Sequence, residues 1–210
     1  SREGESTLDA GIDFGILKIR RGEAVSEKHA KETAWLLMSG EAELEFGGAP
    51  RVVKRSSLLD EGPSVLHAPG RAPVRVKALA DCEWAVLRAA NEKSFASKLF
   101  LPDELAPEYR GRGLVQGASL RNVRLVFDRS NRAESNLVLG EVVNLPGRWS
   151  SYPPHFHAQP EIYHYRFTLP QGYGHGENGD DVFKVRQCDT LTILDCKGHS
   201  QVAAPGYGMY

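Results

Sequence analysis

The chain has 210 residues, 41% hydrophobic and 25% charged, a composition that excludes a disordered or collagen-like protein and allows one or two domains. Lys and Arg number 26 against 27 for Asp and Glu, a net charge of -1, so no basic excess attracts nucleic acid. The longest apolar run, residues 34–38, is far shorter than the roughly 20 residues of a membrane-spanning helix, so a membrane is not expected as a partner.

Short alternating or apolar runs separated by Gly and Pro recur along the chain, which is typical of many short β-strands. The runs in the first half are residues 16–19, 34–38, 42–46 and 74–76, and those in the second half are 137–143, 162–167, 182–185 and 191–194. Residues 91–117 between them have little periodicity and contain Pro102, Pro107 and an Arg-Gly-Arg-Gly segment. We therefore predict an all-β chain with a connection in the middle.

A short internal repeat indicates two copies of one domain. The matching positions, each 128 residues apart, are Leu66 and Leu194, Gly70 and Gly198, Val74 and Val202, and His29 and His157. The sequence thus predicts two small β-barrels in tandem, over residues 1–105 and 119–210, with a linker at 106–118.

Cysteine use favours a reducing compartment. Cys82, Cys188 and Cys196 are an odd number without a CxxC pair, and no Asn-x-Ser/Thr glycosylation signal occurs. The N-terminal residues show no basic patch followed by an apolar run, so no signal peptide is visible. We expect a cytoplasmic protein whose cysteines are inert filling rather than disulfide partners.

The richest group of metal-binding side chains lies in the second half. His155 and His157 are separated by one residue, so on an extended strand both point to the same face. Glu161 can return to that site if residues 158–160 form a turn, and His199 can supply a fourth ligand from a later hairpin. Three imidazoles and one carboxylate suit Zn, Mn, Fe, Ni or Co, and leave positions open for water or substrate.

The other histidines favour simpler interpretations. An isolated HxH pair is more often a hydrogen-bonded surface pair than a metal site, and only Glu161 and His199 make the metal interpretation the better one. His164 and His175 are interpreted as ordinary polar positions, and His67 as structural. The offset of 128 maps the four candidate ligands onto Glu27, His29, Thr33 and Arg71, so a metal-free first barrel is expected.

Longer segments around the motif match a known family. They are the stretch from Gly147 to His157, Tyr-His-Tyr-Arg-Phe at 163–167, Pro-Gln-Gly-Tyr-Gly at 170–174 and Val-Ala-Ala-Pro-Gly-Tyr at 202–207. With the two halves of the metal signature, they resemble the bicupin 5-deoxy-glucuronate isomerases of myo-inositol catabolism.

The resemblance implies two tandem cupin barrels, each a jelly-roll-like double-stranded β-helix, of which the first is degenerate. It implies that His155, His157, Glu161 and His199 hold one divalent ion, zinc or manganese, with iron or nickel as alternatives. The family pattern continues beyond Tyr210, so we expect a truncated second barrel.

The reaction implied by the resemblance converts 5-deoxy-D-glucuronate to 5-dehydro-2-deoxy-D-gluconate. A proton or hydride moves between adjacent carbons while charge develops on the carbonyl oxygen, which a divalent ion stabilises as a Lewis acid. A general acid or base must lie within hydrogen-bond reach, and the candidates are Glu141, Tyr165, Arg166 and Tyr207. Glu141 is a base only if it faces inward, and Arg166 either clamps the substrate carboxylate or forms an interstrand ion pair.

Two other functions fit the same motif. A site of three histidines and one glutamate holds Fe or Ni in a cupin dioxygenase, and a non-enzymatic sugar-binding bicupin uses the metal only for its fold. The expected partner is a small sugar acid, with a homodimer left open.

Overall fold

The computed structural model describes residues 9–194 and 197–210, which are almost entirely β-structure. The all-β prediction is therefore confirmed. The strands are β1 Ile12–Ile19, β2 Ala24–Glu27, β3 Glu32–Glu45, β4 Arg51–Arg55, β5 Val65–Ala68, β6 Val74–Ala78, β7 Cys82–Ala89, β8 Lys98–Phe100, β9 Glu108–Arg110, β10 Arg121–Phe127, β11 Leu139–Asn144, β12 Trp149–His155, β13 Glu161–His164, β14 Tyr173–Asn178, β15 Asp181–Arg186, β16 Thr190–Ile193 and β17 His199–Ala203. Within these ranges, no helix is long and apolar enough to span a membrane.

The chain divides into two compact units with interleaved boundaries. The first contains the chain up to Ala106 together with Leu125–Leu139, and the second contains Pro107–Arg124 and Gly140–Tyr210. Residues 106–118, where the sequence predicts a linker, carry β9 and a 3-10 turn, and β9 pairs with β10. The boundary therefore runs through β10 and β11 rather than through one connecting segment.

The long strand β3 organises the first unit. Its first half pairs with β5 and β7, and its second half pairs with β4 and β6. The register shifts between Leu37 and Ser39, and Gly40 follows with a φ of 98°. A Cβ at Gly40 would lie 2.2 Å from the carbonyl oxygen of Asp81, so only glycine fits this bend.

A buried polar network ties the returning segment 125–139 into the first unit. Arg132 Nε donates to His67 Nδ1 at 2.9 Å, which leaves His67 Nε2 to donate to Glu32 Oε1 at 3.2 Å. Ser135 Oγ also donates to Glu32, and Asn91 contacts the same carboxylate. Burial alone would raise the pKa of Glu32, but these hydrogen bonds lower it to about 2. His67 is thus a structural residue, as the sequence predicts.

The second unit surrounds a small core between its sheets. One sheet has the strand order β12-β17-β14-β15, β13 pairs with β16, and β11, β10 and β9 form a third sheet. The buried side chains that form the core are Tyr165, Phe167, Val185, Ala203 and Met209. Met209 is bridged on one side to Asn144 and on the other to Phe167, so the side chains of these three residues lie on the same face.

The cysteines form no disulfide among the described residues. Cys82 is a buried free thiol and Cys188 is an exposed one. Cys196 lies outside the described residues.

Candidate metal centre

Three histidines from neighbouring segments of the second unit converge. Pairing of β12 with β17 places His155 opposite His199, and His157 follows two residues after His155. One ligand atom from each ring lies within 4.8 Å of the others. No other group of three potential metal-ligating side chains occurs in the part of the chain that the structure describes.

Glu161 completes the cluster from the start of β13. Its Oε1 lies 3.0 Å from His157 Nε2, and its Oε2 lies 3.2 Å from His199 Nε2. The chain bends between His157 and Glu161, as the sequence predicts, while Phe156 points away and is 70% exposed. The structure therefore brings together all four residues that the sequence singles out.

Backbone carbonyls fix which ring nitrogen of two of these histidines carries a proton. His157 Nδ1 lies 2.9 Å from the carbonyl oxygen of Gln159, and His199 Nδ1 lies 3.3 Å from that of Lys197. Because a carbonyl only accepts, each Nδ1 is the donor, and a neutral ring then presents a lone pair at Nε2. Both lone pairs point at the carboxylate of Glu161.

This donor set fits a cation. Glu161 Oε2 and His199 Nε2 are buried and have no hydrogen-bond partner among the described residues. Lone pairs of a carboxylate and of neutral imidazoles repel one another, and a cation between them removes that repulsion. An Nδ1 that donates to a carbonyl while Nε2 stays free is also the usual arrangement of a metal-binding histidine.

Burial affects the titrating groups around the cluster. It lowers the pKa of His155, and the neighbouring His199 lowers it further, which favours the neutral ring that a metal requires. Burial also raises the pKa of Tyr163 and of Tyr165, with the charge of Glu161 adding to the effect. Both phenols are therefore protonated near neutral pH.

Of the four catalytic candidates, Tyr165 lies on the same side as the cluster. Glu161, Tyr163 and Tyr165 alternate along the chain, and the Tyr163 ring lies 6.2 Å from that of His199. The hydroxyl of Tyr165 donates to Gln201 Oε1 at 2.5 Å. Gln201 follows His199 by two residues on β17, so both side chains share one face.

Glu141 points away from this interior. It is three residues before Asn144 on β11, so the two side chains lie on opposite faces of the strand, and Asn144 shares the face of Met209 in the core. Glu141 is buried nevertheless, because it accepts hydrogen bonds from Tyr210 Oη at 2.7 Å and Arg124 Nη1 at 3.5 Å. The inward-facing position expected for a base is thus occupied by Asn144.

Arg166 and Tyr207 make other contacts. Arg166 donates to His164 Nε2 at 3.0 Å and to Cys188 Sγ at 3.2 Å. It follows Tyr165 directly, so its side chain leaves on the other face and not toward the cluster. The Tyr207 ring lies 5.8 Å from that of Tyr173.

In the first unit, the residues at the corresponding positions are engaged elsewhere. Glu27 pairs with Arg88 at 2.6 Å, and His29 Nδ1 accepts from the backbone N–H of Lys31. Thr33 donates to the carbonyl of Lys31. One imidazole remains where the second unit has three.

The sequence interpretation gave no site role to three residues of the interior. Gln201 and Tyr163 have a signal in the sequence that could have indicated a place in the site, since each follows a proposed metal ligand by two residues on a strand. Asn144 has none, because its inward orientation depends on pairing with Met209, 65 residues away. Both polar atoms of its amide are buried without a hydrogen-bond partner among the described residues.

Comparisons with known proteins agree with the fold. The model of the KduI/IolB family matches residues 2–210. A 5-deoxy-glucuronate isomerase from Geobacillus thermodenitrificans is 28% identical over 95% of this chain and 77% of its own length.

Solved structures give the fold. The crystal structure of an IolB-like protein from Salmonella typhimurium LT2 matches with a TM-score of 0.85 and 24% identity, over 100% of this chain and 87% of that one. A cupin 2 conserved barrel domain protein from Leptotrichia buccalis matches with a TM-score of 0.52 and 12% identity, over 100% and 88%. The predicted cupin fold is therefore confirmed.

Proposed function

Because the chain belongs to the KduI/IolB family, we propose that it is an aldose–ketose isomerase that converts 5-deoxy-D-glucuronate to 5-dehydro-2-deoxy-D-gluconate. The relative from Geobacillus carries the name of this activity and aligns along 95% of the chain. The observation that carries the proposal is the cluster of three histidines around the unpartnered carboxylate oxygen of Glu161. A fold alone would not support an activity.

In the proposed enzyme, His155, His157, Glu161 and His199 hold one divalent ion, zinc or manganese, with iron or nickel as alternatives. When bound, this ion supplies a Lewis acid for a carbonyl oxygen. The carbonyls of Gln159 and Lys197 hold two of the rings in the tautomer that leaves Nε2 free.

The interior beside the cluster suits a polar but uncharged part of the substrate. Tyr163 and Tyr165 stay protonated because burial raises their pKa values, so they act as hydrogen-bonding groups rather than bases. Tyr165 is the one of the four candidates that we keep in the site, as a hydrogen-bonding residue. Glu141 and Arg166 make their contacts elsewhere, and Tyr207 packs against the same core as Tyr165. We give these three residues no part in moving the proton.

The partner in this proposal is a small sugar acid, and the compartment is the cytoplasm. The name of the relative supports the substrate, and the cysteine pattern supports the compartment. A homodimer is compatible with the proposal.

The test is an NMR assay with 5-deoxy-D-glucuronate, on protein stripped of metal and then reloaded with Zn, Mn, Fe or Ni. We expect a ketone product without oxygen, only after reloading. Oxygen consumption would instead support the dioxygenase, and tight binding without turnover would support a sugar-binding protein. Either result would overturn the isomerase.

A further inference from the structure

A buried amide stands beside the proposed metal centre. Gln201 is 7% exposed and lies on β17 two residues after His199. Residues two apart on a strand are about 6.6–7 Å apart and share a face, so the amide is the next polar group along the barrel wall.

Tyr165 fixes the direction of this amide. Its hydroxyl donates to Gln201 Oε1 at 2.5 Å, and a protonated phenol has only one hydrogen to donate. The oxygen of the amide therefore faces Tyr165, and its nitrogen faces away. We find no hydrogen bond from Gln201 Nε2 to any described residue.

On the neighbouring strands Gln201 is flanked by small residues, and the ring of Phe183 packs over one of them, Gly176. The residues directly opposite Gln201 on the neighbouring strands are Ser150 on β12 and Gly176 on β14. Directly paired residues place their side chains on the same face, and neither of these two is large. An amide held by Tyr165 whose N–H groups donate to none of the described residues is suited to bind a hydroxyl oxygen.

From this geometry we propose that Gln201 binds and positions the sugar acid at the metal centre, and that Tyr165 is a positioning residue that acts through Gln201. The inference rests on the proposed function, because it assumes that the substrate occupies the space beside the four ligands. It goes further in naming the side chain that recognises an oxygen of the substrate away from the metal.

The main test compares Gln201→Met with the parent. Methionine is of similar size but cannot donate a hydrogen bond, so packing is largely kept. Losing a hydrogen bond at a desolvated site weakens binding about 10- to 100-fold. We expect KM for 5-deoxy-glucuronate, and the Kd for D-glucuronate measured by calorimetry on the metal-loaded protein, to rise by that factor with metal content unchanged.

A double-mutant cycle tests the role of Tyr165. Tyr165→Phe alone should raise KM by about 3- to 10-fold, and should add nothing in the Gln201→Met background. Additive effects would show that Tyr165 contacts the substrate directly and would overturn its positioning role.

Gln187→Met is the matched control. Gln187 Oε1 accepts a hydrogen bond from the backbone N–H of Phe167 at 2.7 Å, so this glutamine is structural. Its variant should melt at a lower temperature with an unchanged KM. If Gln201→Met behaves in the same way, with KM and Kd within about twofold of the parent, Gln201 is structural and the inference is wrong.

The calorimetry separates the two proposals. Binding of D-glucuronate by the parent, weakened in Gln201→Met, without turnover of 5-deoxy-glucuronate would support Gln201 and overturn the isomerase. A parent that binds no D-glucuronate would overturn the role of Gln201 as a sugar-acid ligand.

Discussion

Replacing Glu161 by glutamine separates metal binding from folding. Glutamine has nearly the same shape, and the Glu161 side chain is 29% exposed, so the packing should hardly change. In the metal-free protein, the substitution replaces a carboxylate that faces two imidazole lone pairs with an amide that can donate to one of them. We therefore expect the metal-free variant to be at least as stable as the metal-free parent.

The metal-loaded proteins should differ in the opposite direction. A ligand present at 100 times its Kd stabilises a protein by about 2.7 kcal/mol, which for a chain of this size raises Tm by roughly 5–11 °C. Loss of the only anionic ligand should weaken metal binding by about 100-fold or more, since even residues behind the ligands change affinity 10- to 100-fold. Glu161→Gln should therefore lose most of the metal-induced rise in Tm.

The assay is thermal unfolding by circular dichroism, with and without zinc or manganese, alongside turnover at the same temperature. Glu177→Gln is the matched control, because Glu177 lies in the same unit and accepts from Ser200 Oγ on the other face of β17. Its metal-induced rise in Tm should equal that of the parent. An equal rise in Glu161→Gln, or isomerisation at the parent rate by the metal-free variant, would refute the role of Glu161.

Three further predictions concern the two units. Elemental analysis of metal-loaded protein should give one ion per chain, and a second ion retained by a His155→Ala and His199→Ala variant would place a site in the first unit. Glu141→Gln should lower the free energy of unfolding by about 3 kcal/mol, because it leaves Arg124 buried with a weaker partner. Its kcat/KM per bound metal should stay within about threefold of the parent. A 100-fold loss of kcat/KM would instead show that Glu141 is catalytic. The pKa of Glu32 is about 2 in the folded protein against 4.5 for an unperturbed glutamate, so its contribution of about 3 kcal/mol should be complete above pH 4.5 and disappear as the pH falls toward 2. Urea unfolding of the parent and Glu32→Gln across that range should show their difference shrinking with acid, and a constant difference would contradict the shift.

Strand periodicity was enough to predict which side chains of the proposed metal centre lie together. The alternation of side chains placed His155 and His157 on one face, and the short polar segment before Glu161 indicated the turn that returns it. The same two-residue period, applied to His199, points to Gln201. These placements depend on the conformation of a few neighbouring residues, which the local sequence largely determines.

Pairing between distant strands decided the rest. Periodicity places Glu141 and Asn144 on opposite faces of β11, but it does not say which face is inside; the bridge from Asn144 to Met209 does. Arg166 is adjacent to Tyr165 in sequence, yet only the position of His164 and Cys188 shows where its guanidinium goes. The local sequence determines the two faces of a strand, whereas the burial of one of them depends on which distant strand packs against it.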